Sequence, residues 1–109
     1  MIGYIGEFEE LVLLTIAALD EAAYGVAIKE DIEQRTDRSI SIGALHSTIT
    51  RLDEKGFIKS WLGDPTQARG GRRKRYFQLT NQGKAALRKV KALRDELWDL
   101  SKVNLAFSA

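Results

Sequence analysis

The chain has 109 residues, 44% hydrophobic and 29% charged, with 17 Lys and Arg against 15 Asp and Glu for a net charge of +2. That length supports one hydrophobic core and excludes two, and the composition excludes a disordered tail. With no cysteine, disulfide staples, thiolate zinc sites and cysteine nucleophiles are excluded as well.

Residues 7–20 carry apolar positions Phe8, Leu11, Val12, Leu14, Thr15, Ile16 and Leu19, which predict a helix with a broad inward stripe. Glu7, Glu9 and Glu10 fall in its first turn, where the helix dipole favours acid. The apolar run 11–19 is too short to cross a bilayer, and no basic leader precedes it, so the cytoplasm is the expected compartment, with no membrane partner. After the connector DEAAYG, a second helix is expected from Gly25 to about Thr36. Val26, Ile28 (or Ala27) and Ile32 would face inward, with Lys29, Glu30, Glu33 and Gln34 in water. TDRSIS has turn composition and ends on a good N-cap, Ser41. Ile42, Leu45, Ile49 and Leu52 define a third helix, stopped by Gly56.

The period then changes to two. FIKSWL (57–62) and RYFQL (75–79) read as short strands, separated by twelve residues that hold three glycines, the only proline and a basic cluster. Thr80 caps a last helix predicted to run to about Asn104. Three helices, a hairpin with a long basic tip and a final helix give the expected fold: mostly α with a small β-hairpin, a winged helix-turn-helix plus a long C-terminal dimerisation helix. Residues 1–79 would form the DNA-binding domain and 80–109 the dimerisation helix and tail.

Charge supports this layout. Residues 1–54 hold 4 Lys and Arg against 11 Asp and Glu, whereas residues 55–109 hold 13 against 4. Such polarity points to a polyanion as partner for one side. On the third helix Gly43, Ser47, Thr50 and Arg51, with Ala44 beside them, point away from the apolar set. These are the small and hydrogen-bonding groups that a major-groove helix needs. His46 lies at the edge of the apolar stripe, either packing on the hairpin or contacting phosphate or base. A single histidine cannot build a metal site. In the wing, Arg69, Arg72, Arg73, Lys74 and Arg75 flank Gly70 and Gly71; arginine forks match phosphate oxygens and the glycines permit close approach. GGRRK lacks the glycine spacing and the ending of a P-loop.

In the last helix Ala86, Val90, Leu93, Leu97 and Leu100 are spaced 4, 3, 4, 3, an a/d seam that Leu87 and Trp98 widen. A helix of about 25 residues spans roughly 37 Å, more than so small a domain can cover, so a second copy is expected on it, in addition to packing of the same helix on the chain's own first helix. Val90, Leu93, Leu97, Trp98 and Leu100 would form the dimer interface. Trp98 is either an anchor there or the wall of an inter-subunit pocket for a flat aromatic effector; Trp61 on the hairpin is similarly ambiguous. No catalytic constellation emerges, and no cofactor is implied. A winged-helix module that sets its basic wing on an acidic protein partner is the alternative reading.

The chain resembles the PadR-like transcriptional regulators, in particular the small class that ends with a single C-terminal helix. The resemblance runs from Gly6 to about Leu100 and rests on GEFEELVLLTIAAL, AYGVAIKEDIEQRT, SIGALHSTITRLDEKGFI and GDPTQARGGRRKRYFQLTNQGKAAL. It implies a homodimeric winged-helix repressor that binds a pseudo-palindromic duplex, with affinity adjusted by a small aromatic ligand. His46 stands where the family commonly has tyrosine. Tyr24 matches the family's Tyr-Gly pair, which implies a backbone contact to phosphate at the start of the second helix.

Overall fold

The computed structural model describes residues 5–64 and 73–107. The first apolar stripe folds as α1 (Glu7–Leu19), followed by a single 3-10 turn (Asp20–Ala22), α2 (Gly25–Thr36) and α3 (Ile42–Glu54). A hairpin of β1 (Ile58–Leu62) and β2 (Arg75–Leu79) leads into α4 (Asn81–Leu105). The architecture is thus the expected winged helix-turn-helix with a long terminal helix. Among the described residues, no helix is long and apolar enough to cross a membrane.

Local chemistry sets the boundaries. Ser41 Oγ accepts from the Ala44 N–H at 3.0 Å and starts α3, and Thr80 Oγ1 accepts from Gly83 N–H at 3.0 Å and starts α4. Each such cap contributes about 1 kcal/mol. Asp37 ends α2 in the left-handed region (φ 56°), and Gly56 turns α3 into the hairpin at φ 78°. The strands pair antiparallel with Ile58 opposite Leu79 and Trp61 opposite Tyr76. A third edge is supplied by the end of the 3-10 turn, where Phe77 N–H donates to Ala23 O at 2.9 Å and Tyr24 bridges Tyr76.

The core is centred on α1, which packs against α2, α3, β2 and the first part of α4. Val12, Leu13, Ile16, Ile28, Ile32 and Leu52 are almost completely buried, with Phe57, Ile58, Phe77 and Leu79 closing the hairpin side. Burying each large aliphatic group contributes about 1.5–3 kcal/mol.

Three inward assignments need correction. Leu13 is in the core while Leu14 is exposed, because α1 is covered on nearly every side except the one bearing Leu14. Val26 is exposed rather than inward: it sits about 200° around α2 from Ile28, opposite the buried line. On α3 the buried line is Leu45, Thr48 and Leu52, with Ile49 half-buried and Ile42 exposed. Thr48 takes the place expected of Ile49 and Ile42, which rotates the inward face toward Arg51.

Beyond its first turns α4 leaves the core. Gly83 is buried and Ala86, Leu87 and Val90 are half-buried, but from Lys91 to Leu100 every residue is exposed. Projection of this helix gives the molecule a long axis of 57 Å against 34 and 22 Å across.

Candidate nucleic-acid interface

One cleft gathers much of what the sequence singled out. About 330 Å³ in volume, it is lined by Tyr24, Gly25 and Val26 at the start of α2, by Ile42, Leu45, His46 and Ile49 of α3, and by Arg73, Lys74, Arg75 and Phe77 of the hairpin. It brings helix N-termini, the exposed flank of α3 and the cationic root of the wing together on one side.

The root of the wing is fixed by rings. Trp61 and Tyr76 stack across the hairpin at 6.0 Å, and Tyr76 meets Tyr24 edge-on at 5.6 Å. Lys74 places its ammonium 4.0 Å from the Tyr24 ring centroid, a cation–π contact that carries charge to the mouth of the cleft. Arg75 donates to Ser60 Oγ at 3.0 Å, and Arg73 is exposed. Arg69, Gly70, Gly71 and Arg72 lie outside the described residues. Tyr24 is half-buried as the N-cap of α2, with its backbone extended at φ −123°.

On α3, Gly43, Ala44, His46, Ser47, Thr50 and Arg51 are all exposed. Ser47 and Thr50 side chains make no hydrogen bond to any described residue, so their donors and acceptors are open. A Cβ added to Gly43 would meet nothing within 4 Å. Arg51 differs from the rest. Its guanidinium donates to the buried Thr48 Oγ1 at 3.1 Å and lies 3.7 Å from Glu9, on the flank rather than the far side of the helix. The local stripe held no sign of this, since Glu9 reaches α3 only through the tertiary fold.

Two carboxylates hold the helix-turn-helix frame. Glu9 is buried; it accepts from Gly6 N–H at 2.7 Å and from Lys55 Nζ at 2.9 Å on both oxygens. Burial pushes its carboxyl up, but the Gly6 N–H, Lys55 and Arg51 together outweigh that and hold it below the usual carboxylate range. Glu33 accepts from the Ile40 N–H at 2.9 Å and from Lys29, latching the α2–α3 turn. These contacts, the backbone donor foremost, hold it low too. Among the described residues, no cluster of three or more His, Asp or Glu side chains could hold a metal ion.

The terminal helix presents a second feature. Leu93, Leu97, Trp98, Leu100 and Val103 are all exposed, Trp98 at 64% and Val103 at 82%. Between α1 and α4 a cavity of about 410 Å³ is lined by Glu10, Leu14, Leu87, Arg88, Lys91, Arg94, Asp95 and Trp98. The Arg94–Glu10 ion pair at 2.6 Å pins the two helices at its edge.

Comparison with known proteins agrees with this geometry. Residues 13–89 match the model of the transcriptional regulator PadR-like family. Among solved structures, a PadR family transcription regulator from Clostridium difficile is 22% identical, with a TM-score of 0.70 over 91% of this chain and 99% of that one. A PadR-like transcriptional regulator from Bacillus cereus is 17% identical, with a TM-score of 0.75 over 93% of each chain. A PadR family transcriptional regulator from Eggerthella lenta is 26% identical, with a TM-score of 0.67 over 93% of this chain and 88% of that one. None of the curated proteins matches the chain.

Proposed function

Since the chain belongs to the PadR-like family of transcriptional regulators, whose members are not enzymes, we propose that it is a homodimeric, sequence-specific DNA-binding repressor working in the cytoplasm. The cleft carries this reading: the exposed flank of α3 at Ile42 and His46 and the cations Arg73, Lys74 and Arg75 border one concavity. With α3 in the major groove, Gly43 and Ala44 permit close approach, while His46, Ser47 and Thr50 meet base edges and Arg51 serves from the flank. The N-terminus of α2 at Tyr24 faces phosphate, and the wing, including Arg69, Gly70, Gly71 and Arg72, follows the backbone. Protein laid on promoter DNA in this way excludes polymerase, which is repression.

The dimer is supported by the exposed seam of α4. Leaving Leu93, Leu97, Trp98 and Leu100 in water forfeits about 1.5–3 kcal/mol for each large side chain that a second copy could cover, with the half-buried Val90 at the edge of the seam. Two copies would read two half-sites of a pseudo-palindromic operator. The α1–α4 cavity beside Trp98 supports an effector role for a small aromatic molecule that stacks on the indole.

A titration of the full chain against the DNA upstream of its own gene, at two salt concentrations, tests the reading. Expected is preference for one duplex with affinity falling steeply as salt rises, because each phosphate contact releases counterions. The double variant Arg72→Ala, Arg73→Ala should flatten that slope. Indifference to duplex DNA at low salt would eliminate the proposal and favour an acidic protein partner for the wing.

A further inference from the structure

Two large apolar side chains in the cleft contribute little to the core. Val26 is 42% exposed and Ile42 is 52% exposed. Each stands in the first turn of its helix, beside a glycine: Gly25 precedes Val26, and Gly43 follows Ile42. A Cβ on either glycine would meet nothing within 4 Å, so neither is glycine to relieve a clash inside the fold. The result is two apolar tips with room beside them, on the same cleft that Arg73, Lys74 and Arg75 border.

The occupant must satisfy both features. An apolar protein segment would leave three cations unanswered, and a bare polyanion would leave the apolar tips in contact with nothing. Duplex DNA answers both, with phosphates at the rim and, within the major groove, one apolar mark on the base edges: the C5 methyl of thymine. In a helix-turn-helix the first turn of the second helix, here α3 with Ile42, is the part that meets base edges, and the first helix, here α2 with Val26, crosses the backbone beside it.

We infer that Val26 and Ile42 form an apolar reader of thymine methyl groups and are specificity-determining residues. The inference rests on the DNA-binding reading above and adds to it a chemical preference at defined base pairs. Polar contacts from His46, Ser47 and Thr50 would read neighbouring positions by hydrogen bonding, so the two codes are separable.

The test uses the full-length protein and a duplex selected from a random library. Each thymidine in turn is replaced by deoxyuridine, which removes the methyl and keeps every hydrogen-bonding group. At one or two positions in each half-site the affinity should fall by about three- to tenfold, the range for losing one buried methyl-sized contact. Ile42→Ala and Val26→Ala should weaken binding to the thymidine duplex and no longer distinguish it from the deoxyuridine one. Ser47→Ala should retain that distinction. Both apolar positions are exposed, so the variants should keep the parent unfolding temperature. If every deoxyuridine substitution is neutral, or if both alanine variants discriminate as the parent does, the methyl reader is wrong and DNA binding stands. Failure to select any duplex overturns both.

Discussion

Replacing Gly83 with alanine tests how the terminal helix is joined to the core. A Cβ at this buried position would lie 2.1 Å from the Phe57 carbonyl oxygen and 3.0 Å from its carbonyl carbon, both backbone atoms. A relaxed carbon–oxygen contact is about 3.3 Å, so α4 would have to retreat by roughly 1.2 Å. That movement strains two bonds at the junction: Thr80 N–H to Phe57 O at 3.0 Å and Thr80 Oγ1 to Gly56 O at 2.6 Å. Each is worth about 1 kcal/mol, and overpacking adds about 1–3 kcal/mol. Alanine returns up to about 1 kcal/mol as the better helix former. The net is a loss of roughly 2–4 kcal/mol, or a fall in melting temperature of about 10–20 °C. Thermal unfolding followed by far-ultraviolet circular dichroism, at one fixed protein concentration, measures it. The sign decides the matter: a Gly83→Ala protein as stable as the parent, or more stable, would refute the close approach of α4 to Phe57.

Three further outcomes are expected. Leu97→Asp should yield monomers in analytical ultracentrifugation at concentrations where the parent sediments as a dimer; a surviving dimer would put the interface elsewhere. Asp37→Gly should raise stability by about 1 kcal/mol, because glycine adopts the left-handed conformation without the penalty that a Cβ brings; an unchanged urea midpoint would show that the aspartate side chain compensates. Glu9 and Glu33 both have carboxyl groups held below the ordinary 4.5. Their contribution is therefore complete above that value and is lost as pH falls through the lowered folded values. Urea midpoints should decline from about pH 5 toward pH 3, less steeply in Glu33→Gln, and identical slopes would remove Glu33 from the account.

The elements were legible because their signals are local. Stripes at helical spacing, Ser41 and Thr80 as caps, and the period-two run into the RYFQL strand all depend on near neighbours. Boundaries moved only slightly, with β1 starting at Ile58 rather than Phe57 and α4 ending at Leu105. What escaped is set by partners far away in the chain. Helical spacing gives the direction of a stripe but not which of its edges is covered, so it points Val26, Ile42 and Leu14 inward and misses Leu13 and Thr48. Glu9 read as a first-turn acid, and its bond to Lys55, 46 residues on, has no trace in either segment. Tyr24 and Tyr76 gave no hint of meeting, because the edge-on contact needs the 3-10 turn to lie along β2. On α3 the open residues follow from helical spacing alone, whereas the place of Arg51 does not, since it depends on that same distant carboxylate.

The arrangement around Glu9 bears on how such a protein diversifies. Lys55 sits 2.9 Å from both carboxylate oxygens, while Arg51 remains at 3.7 Å. Lys55 thus carries the larger share of the neutralisation, and Arg51 adds a weaker attraction to Glu9 and a hydrogen bond to the buried Thr48. Exchange of Arg51 therefore costs the frame less than loss of Lys55 would, which leaves position 51 the freer of the two to vary.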